Sequence, residues 1–262
     1  MNISLEGRNA IVCGSTQGIG RAIAEQFAES GACVTLIARD EHALNEVKEG
    51  LSDHANQRHQ SIAADFTQPE DLKRKLDVYV SHNPAVHILV NNTGGPKGGD
   101  IVNASPEEFE NAFKMHVICN QILVQALMDG MMKEGYGRII NIISTSVKQP
   151  IKGLGVSNTT RGAVASWSKT MAGELGKFGI TVNNLLPGAT QTGRIEDIIN
   201  KKAEKTGKSI NEVRNQMIAE IPAGRFAEPK ELAYAATFLA SDKASYINGV
   251  SIAVDGGRMG CL

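Results

Sequence analysis

With 262 residues, 42% of them hydrophobic, the chain is long enough to bury a large core without disulfide or metal support. Its net charge of −1 and the scatter of both signs argue against nucleic acid as the principal partner, and no apolar run approaches the roughly 20 residues of a membrane span. Four widely spaced cysteines and an N-terminus without the layout of a signal peptide predict a cytoplasmic protein with no membrane segment and no metal site.

The first motif is a glycine-rich turn that joins an apolar run at 10–13 to a helical pattern beginning near Ile19. Gly14 lets the chain turn sharply, Gly18 leaves room for a ligand, and Gly20 lets the helix pack closely against the strand. The first amides of that helix and the positive end of its dipole suit a pyrophosphate group. A turn that binds nothing is the alternative, but the strand before it and the helix after it favour a dinucleotide site. The candidate cofactor contacts here are Gly14, Ser15, Thr16, Gln17, Gly18 and Ile19.

Strands and helices alternate along the rest of the chain. Apolar, β-branched runs predict strands at 33–37, 61–64, 86–90, 139–143, 180–186 and 250–254. Helical spacing predicts helices at 41–52, 70–80, 106–132, 154–176 and 229–240, and residues 136–138 are interpreted as a turn. This alternation is typical of one doubly wound parallel sheet with helices on both faces. We therefore expect an α/β fold with a single domain over residues 1–262.

Polar and glycine residues follow several predicted strands at the carboxyl edge of the sheet, where dinucleotides bind in such folds. Arg39 follows the second strand, and its guanidinium matches the 2′-phosphate of NADP in geometry and charge. This favours NADP over NAD, whereas the adjacent Asp40 weakens the preference and a merely solvated Arg39 is the alternative. The other candidate cofactor contacts at strand ends are Asp65, Phe66, Asn92, Thr93, Gly94, Pro187 and Gly188.

Five motifs in the same order resemble the short-chain dehydrogenase/reductase family, and the resemblance covers nearly the whole chain. The C-terminal half is similar to the 3-oxoacyl-(acyl-carrier-protein) reductases of this family. The matching segments are Gly14-x-x-x-Gly18-Ile19-Gly20, Asn91-Asn92-Thr93-Gly94, Pro187-Gly188-x-x-x-Thr192, Pro222-x-Gly224-Arg225 and Gly249 through Asp255-Gly256-Gly257. The resemblance implies a seven-stranded Rossmann sheet and a nicotinamide cofactor whose carboxamide meets Thr192. It also implies a homotetramer or dimer built through the two long helices and the last strand.

A charged, helix-rich segment lies at 191–222, where the family keeps its substrate lid. Within it, Ser209 and Glu212 have the spacing of a capping box. The segment and its flank carry slightly more basic than acidic residues, which favours an anionic substrate such as an acyl carrier or a sugar acid. Exposed helices with a solvated charged face are the simpler alternative.

The catalytic residues depart from the family pattern, which consists of a serine, a Tyr-x-x-x-Lys motif and an asparagine in the preceding long helix. The aligned positions hold Ser144 (serine), Ser157 (tyrosine), Arg161 (lysine) and His116 (asparagine). A serine hydroxyl is a much weaker acid than a tyrosine, and an arginine holds its proton too tightly to relay it. The chain therefore resembles a divergent subgroup with an altered catalytic motif.

Three hypotheses about function follow. In the first, the protein is an NADP-dependent carbonyl reductase or alcohol dehydrogenase for a small molecule, with NAD as the second candidate cofactor. Ser144 and Ser157 then orient the substrate oxygen, while Arg161 binds ribose hydroxyls and supports the developing negative charge. His116 or a chain of waters supplies the proton, because histidine titrates near neutrality; a histidine satisfied by backbone groups is the alternative.

In the second hypothesis, the protein is a catalytically impaired scaffold or sensor that binds NADP. In the third, it is a partner subunit of an active relative. The nearly complete cofactor motifs favour the first hypothesis, although a fold alone does not determine function.

Overall fold

Parallel strands form the central sheet of the computed structural model, which describes residues 3–261. The strands are β1 (Asn9–Cys13), β2 (Cys33–Ala38), β3 (Gln60–Ala63), β4 (Ile88–Asn91), β5 (Gly137–Ile142), β6 (Ile180–Pro187) and β7 (Ser251–Val254). Their spatial order is β3-β2-β1-β4-β5-β6-β7, and each of these pairings is parallel. The order reverses between β1 and β4, which places a crevice at the carboxyl ends of these strands. The predicted seven-stranded, doubly wound Rossmann sheet is confirmed.

Helices cover both faces of this sheet. They are α1 (Gly18–Glu29), α2 (Glu41–Glu49), α3 (Pro69–His82), α4 (Pro106–Phe113), α5 (Cys119–Glu134), α6 (Gly155–Leu175), α7 (Gly193–Thr206), α8 (Ile210–Ala219) and α9 (Pro229–Ala240). One apolar layer joins α1, α2 and α9 to the sheet, and a second layer joins α3, α5 and α6 to the opposite face. None of the helices within residues 3–261 is both long and apolar enough to cross a membrane.

The sequence of β1 explains why both faces are covered. Successive side chains of a strand point to opposite faces of its sheet. Ala10 and Val12 accordingly lie in the first apolar layer, and Ile11 and Cys13 lie in the second. Because all four are buried, the strand has a continuous apolar run, as is typical of parallel sheets.

The start of β5 differs from the sequence prediction. The predicted turn at Gly137 and Arg138 is wrong, because both residues are buried in the strand. The Arg138 guanidinium donates hydrogen bonds to the carbonyl oxygens of Gly179 (3.1 Å) and Ser241 (3.3 Å), and it stacks over the Tyr136 ring at 4.0 Å. Gly179 and Ser241 are distant in sequence, so a local pattern gives no indication that a charged residue is buried here.

The helix predicted at 106–132 is divided into α4 and α5 by a π-helical turn at Lys114–Ile118. Turns of this type are rare in proteins, and those that occur are often found at functional sites. The π-helical turn buries His116 and packs against α6, the helix that carries Ser157 and Arg161. The break in the long helix therefore brings the candidate catalytic residues of two segments together.

The segment predicted as a lid at 191–222 folds largely into α7 and α8. The predicted capping box is confirmed, because the N–H of Glu212 donates to Ser209 Oγ (3.2 Å) and the N–H of Ser209 donates to Glu212 Oε2 (2.9 Å). The two helices share a small apolar cluster, which consists of Ile195, Ile199, Ala203, Val213, Met217, Ile221 and Phe226. The role of this segment as a lid stays a prediction.

Candidate active site

The glycine turn after β1 lies at the crevice. Gly14 has a φ of +59°, and its N–H donates a 2.7 Å hydrogen bond to the carbonyl oxygen of Ile37. A Cβ atom at Gly14 would lie 2.6 Å from the carbonyl oxygen of Asn92. A Cβ atom at Gly20 would overlap with the carbonyl oxygen of Gly14. The structure therefore has the sharp turn and the close helix–strand packing that the glycines predict.

The start of α1 presents backbone amides that no side chain caps. Gln17 is the N-cap residue but makes no side-chain capping bond, and the first turn holds no acidic residue. Such amides, with the helix dipole behind them, fit a pyrophosphate group. Thr16, Gln17, Gly18 and Ile19 are at least partly exposed. Ser15, in contrast, is fully buried with its hydroxyl 3.5 Å from a carbonyl oxygen of β2, so this hydroxyl is not exposed to a ligand.

Asn92 connects the two glycine turns. Its Nδ2 donates hydrogen bonds to the carbonyl oxygens of Cys13 and Gly14, each at 3.2 Å. Thr93 and Gly94 follow directly and are more exposed than the buried end of β4. The turns after β1 and β4 thus form one wall of the crevice.

The residues after β2 and β3 are arranged differently from one another. Arg39 is exposed immediately after β2, whereas the Asp40 carboxylate accepts a 3.0 Å hydrogen bond from a backbone N–H of α2 and caps that helix. Asp65 is half-buried, and Phe66 is 6% exposed within the apolar layer beneath α3 and α5. Little of the Phe66 ring is therefore left to contact a ligand. Arg39, in contrast, places an exposed positive charge next to the start of α2.

The chain after β6 crosses the start of α1. Pro187 ends β6, and a Cβ atom at Gly188 would lie 2.6 Å from the Cα of Asp255. Thr192 is the N-cap residue of α7, and its methyl carbon lies 3.2 Å from where a Gly18 Cβ would stand. The predicted contacts after β6 and the glycine turn after β1 therefore lie side by side.

Arg161 is buried at the carboxyl ends of β4 and β5. Its Nη1 donates a hydrogen bond to the Ile142 carbonyl oxygen (2.9 Å), and its Nη2 donates one to the Thr93 carbonyl oxygen (3.3 Å). Burial, and then the neighbouring Arg194, lower the pKa of Arg161 to about 10. The guanidinium is still protonated at neutral pH, so it supplies a fixed positive charge rather than a proton.

His116 is 2% exposed, and its Nε2 has no hydrogen-bond partner among the described residues. Burial, then Arg161 and Arg194, lower the pKa of this imidazole to about 2, against a contact with the Gly94 backbone that raises it. The imidazole is therefore neutral at neutral pH, although an unperturbed histidine titrates near neutrality. The unpartnered Nε2 also argues against a histidine that backbone groups satisfy completely.

The two serines occupy the ends of neighbouring segments. Ser144 follows β5 and is half-buried, and its Oγ accepts a 3.0 Å hydrogen bond from the Ser146 N–H. Ser157 lies in the first turn of α6, is 7% exposed and precedes Arg161 by one helical turn. Ser157 and Arg161 therefore share a helix face, as their spacing predicts.

Comparison with known proteins identifies the family of this chain. Residues 14–258 match the family model described as Enoyl-(Acyl carrier protein) reductase. The 3-oxoacyl-[acyl-carrier-protein] reductase FabG of Vibrio cholerae is 33% identical over 97% of this chain and 98% of its own length. The chain belongs to the short-chain dehydrogenase/reductase family. The predicted resemblance to 3-oxoacyl-(acyl-carrier-protein) reductases is confirmed.

Solved structures share the fold of this short-chain dehydrogenase/reductase over all or nearly all of its length. L-Sorbose reductase from Gluconobacter frateurii, complexed with NADPH and L-sorbose, is 32% identical with a TM-score of 0.93 and full coverage of both chains. The 3-ketoacyl-(acyl-carrier-protein) reductase from Brucella melitensis, complexed with NADH, is 33% identical with a TM-score of 0.84, covering 97% of this chain and 99% of that one.

Sequence reasoning missed two features of this short-chain dehydrogenase/reductase. Arg194, in the first turn of α7, donates hydrogen bonds from Nη1 to the Gly95 carbonyl oxygen (3.2 Å) and from Nη2 to the Pro96 carbonyl oxygen (3.4 Å). In the sequence it is one basic residue among several in a polar segment, so no pattern distinguishes it. The hydroxyl of Ser146 is buried without a partner in the described part of the chain, which the sequence also gives no reason to expect.

Proposed function

We propose that the protein is an NADP-dependent carbonyl reductase or alcohol dehydrogenase that acts on a small-molecule carbonyl or alcohol, with NAD as a second cofactor. The observation that carries this proposal is the crevice in which the uncapped amides of α1 lie beside Asn92 and Thr192. The complexes of L-sorbose reductase with NADPH and of the Brucella melitensis reductase with NADH support it.

The residues around the crevice fit a nicotinamide dinucleotide, which supplies or accepts a hydride when bound. The amides of residues 14–19 would hold the pyrophosphate, and Arg39 would bind a 2′-phosphate. Asp65 and Phe66 would lie beside the half of the ligand that carries the 2′-phosphate, and Phe66 would contact it through its backbone. The residues proposed for the nicotinamide half are Asn92, Thr93, Gly94, Arg161, Pro187, Gly188 and Thr192.

Reduction of a carbonyl places negative charge on the substrate oxygen, which must then gain a proton. Ser144 and Ser157 orient that oxygen, and Arg161 stabilises its charge from a position that two backbone carbonyls fix. Because His116 is neutral, it has no imidazolium proton to give. Its role in this mechanism is to hold, through the unpartnered Nε2, the water that delivers the proton.

A catalytically impaired NADP-binding scaffold, or a partner subunit of an active relative, is the second candidate function. It is favoured by the neutral His116 and the permanently charged Arg161, since an efficient acid has a pKa near the working pH. The two serines do not remedy this, because a serine hydroxyl is a very weak acid.

Assembly into a homotetramer or dimer is proposed for either function. A groove of about 440 Å³ lies between α4 and α6 and is lined by Phe109, Phe113, Thr160 and Ala163 among others. Phe113 is 46% exposed there. Exposed apolar surface of this kind favours contact with another subunit, and sedimentation velocity tests this directly.

Titration calorimetry with NADPH and NADH, followed by a panel of ketones and aldehydes, separates these functions. The proposed enzyme binds NADPH and oxidises it in the presence of at least one carbonyl compound. Binding without turnover across the panel supports the impaired scaffold instead. If the folded protein binds neither NADPH nor NADH at millimolar concentration, both functions are contradicted.

Replacing Arg39 with alanine is expected to weaken NADPH binding roughly tenfold to hundredfold and to leave NADH binding unchanged. The physical reason is the loss of charge-assisted hydrogen bonds to the 2′-phosphate, which NADH lacks. Calorimetric Kd values for both cofactors measure the effect. Arg58→Ala, at another exposed arginine, is the control and is expected to change neither Kd. Equal losses for NADPH and NADH in Arg39→Ala would contradict the assignment.

A further inference from the structure

Three basic side chains from three separate segments converge on the turn after β4. Arg161 of α6 bonds to the Thr93 carbonyl oxygen at 3.3 Å, and Arg194 of α7 bonds to those of Gly95 and Pro96 at 3.2 and 3.4 Å. His116, in the π-helical turn, contacts the backbone of Gly94, which lies between them. The three side chains therefore border one short stretch of backbone, at 93–96.

This cluster, which consists of His116, Arg161 and Arg194, carries positive charge that no carboxylate neutralises. The ion pairs found within residues 3–261 include neither arginine. Burial is the largest cause that lowers the pKa of Arg161 and of His116; Arg194 comes next for Arg161 and both arginines come next for His116, and no acidic group opposes either shift. Uncompensated like charges at close range are typical of a site that receives an anion.

Hydrogen-bond donors and a buried polar atom remain available in this cluster. A guanidinium carries more N–H donors than the two that Arg161 uses. Arg194 is exposed, so its guanidinium is open to a ligand in solution. The Nε2 atom of His116 is buried without a partner among the described residues. Since buried polar groups are normally satisfied, this atom points independently to a polar ligand or a water that it holds.

We propose that Arg194, in the cluster that it forms with His116 and Arg161, binds a carboxylate group of the substrate and is the specificity-determining residue. The inference rests on the proposed function and narrows its substrates to oxo acids and hydroxy acids. A guanidinium presents paired donors that match the two oxygens of a carboxylate. On binding, the carboxylate takes the place of the Gly95 and Pro96 carbonyl oxygens as the partner of Arg194.

The cofactor pyrophosphate is the alternative anion for Arg194, because Thr192, two residues before Arg194, lies beside Gly18. The start of α1 already offers uncapped amides to that pyrophosphate. The arginine cluster instead borders residues 93–96 and includes Arg161, which the proposed mechanism places at the substrate oxygen. This arrangement favours the substrate as the source of the anion.

Titration calorimetry on the NADP-loaded protein tests the proposal without requiring turnover. Acetoacetate, 2-oxobutyrate and 2-oxoglutarate are each compared with their neutral methyl esters. At least one acid is expected to bind at least tenfold more tightly than its ester. Arg194→Gln is expected to raise the Kd for that acid at least tenfold and to leave the Kd values for its ester and for NADPH unchanged. Lys201→Gln removes a charge from an exposed position of the same helix and is expected to change none of these Kd values.

Several outcomes overturn the proposal. Acids that bind no better than their esters, or a panel in which no acid binds, exclude a carboxylate site. A loss of NADPH affinity in Arg194→Gln as large as the loss of acid affinity assigns the arginine to the cofactor pyrophosphate. The same titrations without cofactor separate this inference from the proposed function. Acid binding that depends on Arg194 in a protein that ignores NADPH supports the anion site and contradicts the oxidoreductase.

Discussion

Replacing Ser157 with tyrosine and Arg161 with lysine together is expected to raise the rate of carbonyl reduction roughly 10²- to 10⁴-fold. A phenol is a far stronger acid than a serine hydroxyl. The positive charge kept one helical turn away, at position 161, would lower the pKa of such a phenol by stabilising its anion. Lysine keeps a positive charge beside the carbonyl oxygens of Ile142 and Thr93. Single-turnover rates with the best carbonyl of the panel measure the gain.

The matched control for this double variant carries phenylalanine at position 157 with the same Arg161→Lys substitution. It adds the same ring to a site where the serine is 7% exposed, but it has no hydroxyl to donate a proton. NADPH affinity and the midpoint of thermal unfolding show whether each variant keeps its fold. Equal rates for the tyrosine and phenylalanine variants would contradict the inference that the pocket still supports carbonyl reduction and lacks only a strong enough acid.

The second large effect is expected from Gly20→Ala. Its Cβ would overlap with the Gly14 carbonyl oxygen and lie 2.5 Å from Asn92 Nδ2, so α1 must shift away from β1. Overpacking of this kind lowers the free energy of unfolding by roughly 1–3 kcal/mol. The shift also displaces the amides proposed to hold the pyrophosphate, so we expect the Kd for NADPH to rise by about 100-fold. Urea unfolding and calorimetry measure the two effects separately.

Gly50→Ala is the control for that substitution. Gly50 is the C-cap residue that follows α2 and has a φ of −86°, and an added Cβ would be in ordinary contact with the Val47 carbonyl oxygen at 3.6 Å. Its unfolding free energy is expected to stay within about 1 kcal/mol of the original, because no strained backbone or overlap is created. NADPH affinity in Gly20→Ala equal to that of the unchanged protein would contradict the assigned role of the glycine turn.

Much of the cofactor crevice is predictable because its signals are local. A left-handed residue such as Gly14 and a tight approach such as that of Gly20 each require glycine, so the sequence has to show them. The charge at position 39 is equally visible in the sequence. The use of Asp40 as a helix cap and the burial of the Phe66 ring depend on where α2 and the core lie.

The order of apolar runs and glycine turns was enough to predict the parallel sheet, and five motifs in the same order carried the resemblance to the family, because each of these features depends on neighbouring residues. The tertiary structure alone decided the state of the catalytic region. His116 lost its near-neutral pKa through burial and two arginines from other helices, and Arg194 reached Gly95 through the packing of α7. Burial and charge depend on residues that are distant in sequence, and no local pattern contains them.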